Sequence, residues 1–146
     1  PGVEHRLEFV AEIDGVLYVN DSKATNVDAA LKAVEAFSNP LWIILGGKDK
    51  GGDFRPLGEA LRGRGRAALL IGAAASKIAG QIGDLVRCVP CGTLERALEV
   101  ARAEAQAGEV VLLAPACASF DQFQNYEHRG RRFKALVQQL KEVSCN

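Results

Sequence analysis

The chain has 146 residues, with 18 Lys and Arg balanced by 18 Asp and Glu. That length predicts one domain, residues 1–146, with its own core, and 48% apolar against 25% charged residues excludes a disordered chain. The zero net charge removes the electrostatic footprint of a nucleic-acid or anionic-membrane binder, and no apolar run approaches the ~18 residues of a membrane span.

The first residues, Pro1-Gly2-Val3-Glu4-His5-Arg6, lack the charged-then-apolar pattern of a signal region, so the cytoplasm is the expected compartment. Met is absent throughout, and the linker-like Pro1-Gly2 predicts a domain taken from a longer chain. Alternating Leu7, Phe9, Ala11 and Ile13 predict a strand, Asp14-Gly15 a hairpin turn, and Val16 to Val19 its partner. After Asp21 the period changes. Val27, Ala30, Leu31 and Val34 form the apolar stripe of a helix that ends at Asn39-Pro40.

Leu41 to Leu45 is continuously apolar, as a strand buried on both faces requires. A glycine-rich loop and a short helix around Leu57 to Leu61 follow. Ala67 to Ile71 is a second buried strand, Ser76 to Ile82 a helix, and Leu85 to Val89 a weaker strand. A stripe through Leu94, Ala97, Leu98, Ala101 and Ala105 marks a helix, and Val110 to Ala114 the last strand. Phe133, Leu136, Val137 and Leu140 mark the closing helix. Strands alternating with helices predict a doubly wound, mostly parallel, Rossmann-like α/β sheet with helices on both faces and one antiparallel edge strand. The periodicity leaves the strand order open.

Four cysteines, Cys88, Cys91, Cys117 and Cys145, are expected to be free thiols. Cys88-Val89-Pro90-Cys91 matches a redox C-x-x-C, but it ends an apolar segment instead of starting a helix. With only His5 and His128 in the chain, ligands at zinc-site spacing are lacking and a hydrolytic triad is not expected.

The connecting loops fall into two classes. Ser38-Asn39-Pro40, Gly63-Arg64-Gly65 and Ala107-Gly108-Glu109 lead into strands and are plain turn chemistry. The loops that leave strands, residues 20–26, 46–53 and 115–122, carry lysines, hydroxyls and glycines. In doubly wound sheets ligands bind at that end, and lysines, hydroxyls and helix N-termini together suit a phosphate or carboxylate. This asymmetry argues against a purely structural module. Thr25 and Ser119 each also fit the capping box [ST]-x-x-[DE/Q], so either hydroxyl serves as a helix cap or as a ligand contact. No Walker loop, G-x-G-x-x-G or G-x-S-x-G is present, so a complete nucleotide site is not encoded here. Lys48 is expected as a solvated lysine, and Arg129, Arg131 and Arg132 on the exposed face of the last helix.

Three segments together carry a resemblance: Asn20-Asp21-Ser22-Lys23-Ala24-Thr25-Asn26, Gly46-Gly47-Lys48-Asp49-Lys50, and Pro115 to Phe123. With His5-Arg6 they resemble the C-terminal domain of the UDP-N-acetylmuramoyl-L-alanine:D-glutamate ligases of the Mur ligase family, over essentially the whole chain. Tyr126 stands where that family often has Phe. The resemblance implies a bacterial three-domain enzyme of peptidoglycan precursor synthesis, whose N-terminal domain holds the UDP-sugar and whose central domain holds ATP and magnesium. It implies amide formation between D-glutamate and the substrate carboxylate, activated as an acyl phosphate. It places Thr25, Lys50, Ser119 and Tyr126 around D-glutamate and Arg6, Asp21 and Lys23 on the nucleotide side. The domain's contribution is then positioning, with no metal or catalytic residue of its own, and the isolated domain is expected to be inactive. Two readings compete: a free-standing anion- or nucleotide-binding module, and the corresponding domain of a folylpolyglutamate-type ligase.

Overall fold

The computed structural model describes residues 3–144; the expectations drawn from Pro1-Gly2 and Cys145 lie outside the described residues. The order is β1 (Glu8–Ile13), β2 (Val16–Asn20), α1 (Val27–Glu35), β3 (Leu41–Gly46), α2 (Arg55–Leu61), β4 (Gly65–Ile71), α3 (Ala75–Ile82), β5 (Cys88–Gly92), α4 (Leu94–Glu104), β6 (Val110–Leu113) and α5 (Tyr126–Ser144). The strands form one sheet in the order β1-β2-β6-β3-β4-β5, parallel except for the β1/β2 hairpin at one edge. The doubly wound α/β reading holds.

Alternation within the continuously apolar strands explains the two layers. Leu41, Ile43 and Leu45 face a core filled by Ala30 and Val34 of α1, Leu57 and Leu61 of α2, and Ile78 and Ile82 of α3. Trp42 and Ile44 face the opposite core, with Leu94 and Leu98 of α4 and Phe133 and Val137 of α5. The last strand, β6, is inserted between β2 and β3. The chain after β2 and β3 enters helices on one face, whereas the chain after β6 enters α5 on the other. The winding therefore reverses beside β6, and the crevice lies at the carboxyl ends of β2, β6 and β3.

Local departures from the sequence pattern have physical causes. Asp14 and Gly15 both have positive φ, as a type I′ hairpin turn needs, but a bulge between Phe9 and Ala11 breaks the alternation of β1. Ala11 and Ile13 are buried, while Leu7 and Phe9 remain exposed. The apolar Leu85-Val86 pair closes the turn after α3, its amides donating to the Ile82 carbonyl, so β5 begins three residues later than its predicted start at Leu85. Pro90 is tolerated there because β5 is an edge strand. Arg64, read as plain turn chemistry, donates to the carbonyls of Val34, Phe37 and Asn39 and so satisfies the end of α1.

Candidate functional site

The three loaded loops converge and are joined by backbone hydrogen bonds. Lys48 and Ala118 exchange two, at 2.8 and 3.1 Å, Gly46 N–H donates to Pro115 at 3.0 Å, and Ala116 N–H to Ala24 at 2.9 Å. Gly46 and Gly47 have φ of 132° and 136°. A Cβ at Gly46 would collide with the Ile71 carbonyl oxygen, and one at Gly47 with that of Ala118. The paired glycines are what allow the loops to cross so closely.

Two adjoining cavities open at this end, the smaller between the three loops and the larger between Arg6-Leu7, the 20–26 loop and α1. The larger, about 490 Å³, is lined by Arg6, Asp21, Lys23, Asn26, Asp28 and Lys32. The smaller, about 150 Å³, is lined by Thr25, Asn26, Lys48, Asp49, Lys50 and Cys117. Asn26 borders both. The structure thus brings Arg6, Asp21 and Lys23 together in one cavity, and Thr25 with Lys50 in the other. Ser119 and Tyr126 line neither. Ser119 is buried two residues beyond Cys117, its hydroxyl without a hydrogen bond among the described residues. The Tyr126 ring lies edge-on to His5, with centroids 6.0 Å apart.

The capping-box readings of Thr25 and Ser119 do not hold. Asn26 is the N-cap of α1, its side chain accepting from Ala29 N–H at 2.8 Å, because Thr25 stands one residue too early. No helix begins at Ser119, where the chain instead turns with Gln122 and Phe123 N–H donating to the Ser119 carbonyl; α5 begins only at Tyr126, and Asn125 accepts from His128 N–H. Among the described residues neither hydroxyl has a hydrogen-bond partner.

The side-chain ammonium groups of Lys23, Lys48 and Lys50 make no hydrogen bond or ion pair among the described residues. Asp49, between the last two, is tied to Lys77 of α3 and accepts from Gly52 N–H. Burial raises its pKa, but these bonds outweigh burial and hold the carboxyl below its usual range. The small cavity therefore presents two free cations beside a neutralised carboxylate. In the larger cavity Asp21 accepts from Leu7 N–H at 3.0 Å, and burial pushes its carboxyl above the usual range.

Sequence reasoning missed two buried groups. His5, at positive φ, accepts from Asn20 Nδ2 at 2.9 Å if its proton sits on Nε2, and burial lowers its pKa. Arg129 corrects the exposed-face expectation for the last helix. It is 1% exposed, its Nε donating to Ser22 Oγ, Nη2 to the Ser22 carbonyl and Nη1 to the Cys117 carbonyl. The signal was present: Arg129 stands four residues before Phe133, on the apolar stripe. Arg131 is exposed as expected, and Arg132 is half-buried and paired with Glu95. Cys88 and Cys91 pack toward opposite cores, which turns the two thiols of the C-x-x-C apart, and burial raises the pKa of both.

The family model described as Mur ligase, glutamate ligase domain, matches residues 5–117. The UDP-N-acetylmuramoylalanine–D-glutamate ligase of Solibacter usitatus is 61% identical over 138 residues, which are 94% of this chain and 31% of that ligase. The chain thus spans about a third of the length of the curated relatives it matches. Among solved structures, a murein peptide ligase of Psychrobacter arcticus aligns with a TM-score of 0.66 at 13% identity, over 99% of this chain and 31% of that one. The bifunctional folylpolyglutamate synthase/dihydrofolate synthase of Yersinia pestis, solved with AMPPNP and manganese, aligns at 0.64 and 20% identity, over 93% and 32%. At these identities the structural likeness is one of fold.

Proposed function

The chain belongs to the Mur ligase family as its glutamate ligase domain, and on that premise we propose that it is the amino-acid-positioning domain of an ATP-dependent ligase that joins D-glutamate to UDP-N-acetylmuramoyl-L-alanine. The observation that carries this reading is the pair of adjoining cavities at the carboxyl ends of β2, β6 and β3, one lined by Thr25 and Lys50 and the other by Arg6, Asp21 and Lys23. A dicarboxylate amino acid and a nucleotide need two neighbouring anion sites. The folylpolyglutamate-type alternative shares the fold at 20% identity, against 61% for the D-glutamate ligase.

Lys50 neutralises a D-glutamate carboxylate, with Lys48 on the same wall, and the free hydroxyl of Thr25 donates to it. Ser119 reaches the ligand from beyond the Lys48–Ala118 bridge. Tyr126 contributes its backbone N–H, one of those a helix start leaves unpaired, since its ring is turned toward His5. In the larger cavity Arg6 and Lys23 face phosphate and Asp21 accepts from ribose hydroxyls. ATP supplies the activated acyl phosphate that the amine attacks. In this reading magnesium is held with the phosphates by the rest of the enzyme. The domain's own work is to hold the amine in line and, on closure, to exclude water. No helix among the described residues is long and apolar enough to cross a membrane; ATP and a UDP-linked substrate place the reaction in the bacterial cytoplasm.

The test is product formation by the full-length enzyme with ATP and either UDP-N-acetylmuramoyl-L-alanine plus D- or L-glutamate, or a folate acceptor plus L-glutamate. Turnover with D-glutamate alone is expected. Turnover with the folate acceptor and not with the muramoyl substrate refutes the assignment.

A further inference from the structure

Arg129 has no part in the chemistry above, yet it is the largest fully buried side chain among the described residues. Among the described residues no carboxylate forms an ion pair with it. Its three hydrogen bonds go to a hydroxyl and two carbonyls: Ser22 Oγ at 2.9 Å, the Ser22 carbonyl at 2.7 Å and the Cys117 carbonyl at 3.0 Å. Burial pushes its pKa down to about 10, which leaves it cationic at neutral pH. A buried charge without a direct ion pair, its nearest carboxylate influence coming through space from Asp121, is an expensive way to stabilise a fold, since well-packed apolar side chains often do better. What distinguishes this one is where its acceptors lie.

Ser22 sits between Asp21 and Lys23, which line the larger cavity, and Cys117 lines the smaller one. Ser22 Oγ in turn donates to the Tyr126 carbonyl at 2.7 Å, which ties the start of α5 to the same point. The rigid fork of one guanidinium therefore spans the loops on either side of the winding reversal. A lysine offers a point charge in place of three fixed directions.

We propose that Arg129 is a positioning residue that sets the separation of the two cavities, and with it the placement of the amino-acid ligand relative to the nucleotide. It acts through Ser22 and Cys117 and touches neither ligand. The proposal rests on the two-cavity reading of function. Displacement of one loop by about 1 Å is enough to lower the rate of a proximity-driven reaction about a hundredfold.

The test uses the full-length ligase with R129K, S22A and the double variant, measuring thermal unfolding and the KM values for D-glutamate and ATP. The expected result for R129K is a protein folded at the assay temperature with both KM values raised at least tenfold and a lower kcat. S22A, which removes the Nε acceptor together with the hydroxyl's bond to the Tyr126 carbonyl, is expected to raise both at least threefold, and the double variant to be no worse than R129K. Unfolding at lower temperature with both KM values within twofold of wild type would make Arg129 a stabilising residue only and overturn the proposal. Multiplicative effects in the double variant would overturn it too, since the two residues would then act independently. If R129K does not fold, S22A decides by the same criterion. A wild-type enzyme that forms no product with D-glutamate refutes the underlying reading, whereas one that does, beside an R129K of unchanged KM, refutes this proposal alone.

Discussion

Replacing Lys50 by Ala isolates the anion-binding role of the smaller cavity. The side chain is exposed and unpartnered among the described residues, so its loss should shift fold stability by no more than about 0.5 kcal/mol. A hydrogen bond to a charged group contributes about 1.5–3 kcal/mol. Lys48 stays on the same wall and continues to attract the carboxylate, so the loss should fall near the lower limit, about 1.5 kcal/mol. At 1.4 kcal/mol per factor of ten, that is roughly a tenfold rise in the D-glutamate KM. Removing both lysines should approach about 3 kcal/mol, or roughly 150-fold. Asp49 does not offset either effect, because Lys77 and the Gly52 amide already hold it. The assay is steady-state phosphate release by the full-length enzyme at saturating ATP, with D-glutamate titrated at two salt concentrations. Salt should weaken D-glutamate binding to wild type more than to the variant. An unchanged D-glutamate KM in a folded Lys50→Ala enzyme refutes the assignment, as does a change confined to the KM for ATP.

Ser119→Ala should raise the D-glutamate KM and leave the melting temperature unchanged, because the hydroxyl caps no helix; a lowered melting temperature with normal KM would make its role structural. Asp21→Asn should raise the melting temperature at pH 7 while raising the KM for ATP. Burial holds the folded-state pKa above the ordinary 3.8, so wild type loses stability as pH rises through that raised value, and the two proteins should converge below pH 3.8. A variant less stable than wild type at pH 7 would refute this. Gly130→Ala should destabilise the domain even though Ala is the better helix former by about 1 kcal/mol, because the new Cβ would collide with the His5 ring, and overpacking costs about 1–3 kcal/mol. A higher melting temperature in thermal unfolding would show that the ring yields.

The elements were legible wherever one period dominated. Leu41 to Leu45 alternates between two cores, and the α4 stripe from Leu94 to Ala101 is buried along its length. The loaded loops also separated correctly from the plain ones, since parallel strands send every strand-to-helix loop to one end. Strand order was not legible, because inserting β6 between β2 and β3 depends on pairing across more than sixty residues of intervening chain. The capping-box pattern chose Thr25 where Asn26 serves, because a four-residue motif tolerates a one-residue shift when both neighbours can cap. Arg129 was misplaced by its chemistry. Its position on the stripe pointed inward, but an arginine is seldom fully buried, and its acceptors are carbonyls that no sequence pattern announces.

Where the molecule keeps its costly features bears on the function independently of any motif. At the end where β2, β3 and β6 deliver their loops, His5, Leu7 and Ala116 have positive φ, and Gly46 and Gly47 cross beside neighbouring carbonyls. The same end buries Asp21 with its pKa raised and, among the described residues, buries Arg129 without a direct ion pair and leaves the Lys23, Lys48 and Lys50 ammonium groups unpaired. At the opposite end the one buried carboxylate, Glu109, is fully satisfied by Trp42, the Gln106 amide and Arg66. Asp14, the non-glycine residue with positive φ there among the described residues, does with Gly15 what a hairpin turn demands. A fold selected for stability alone has no reason to place its strain, unpaired cations and desolvated charge at one pole. A site whose missing partner is an anion does, because a bound carboxylate or phosphate supplies the charge that the free domain lacks.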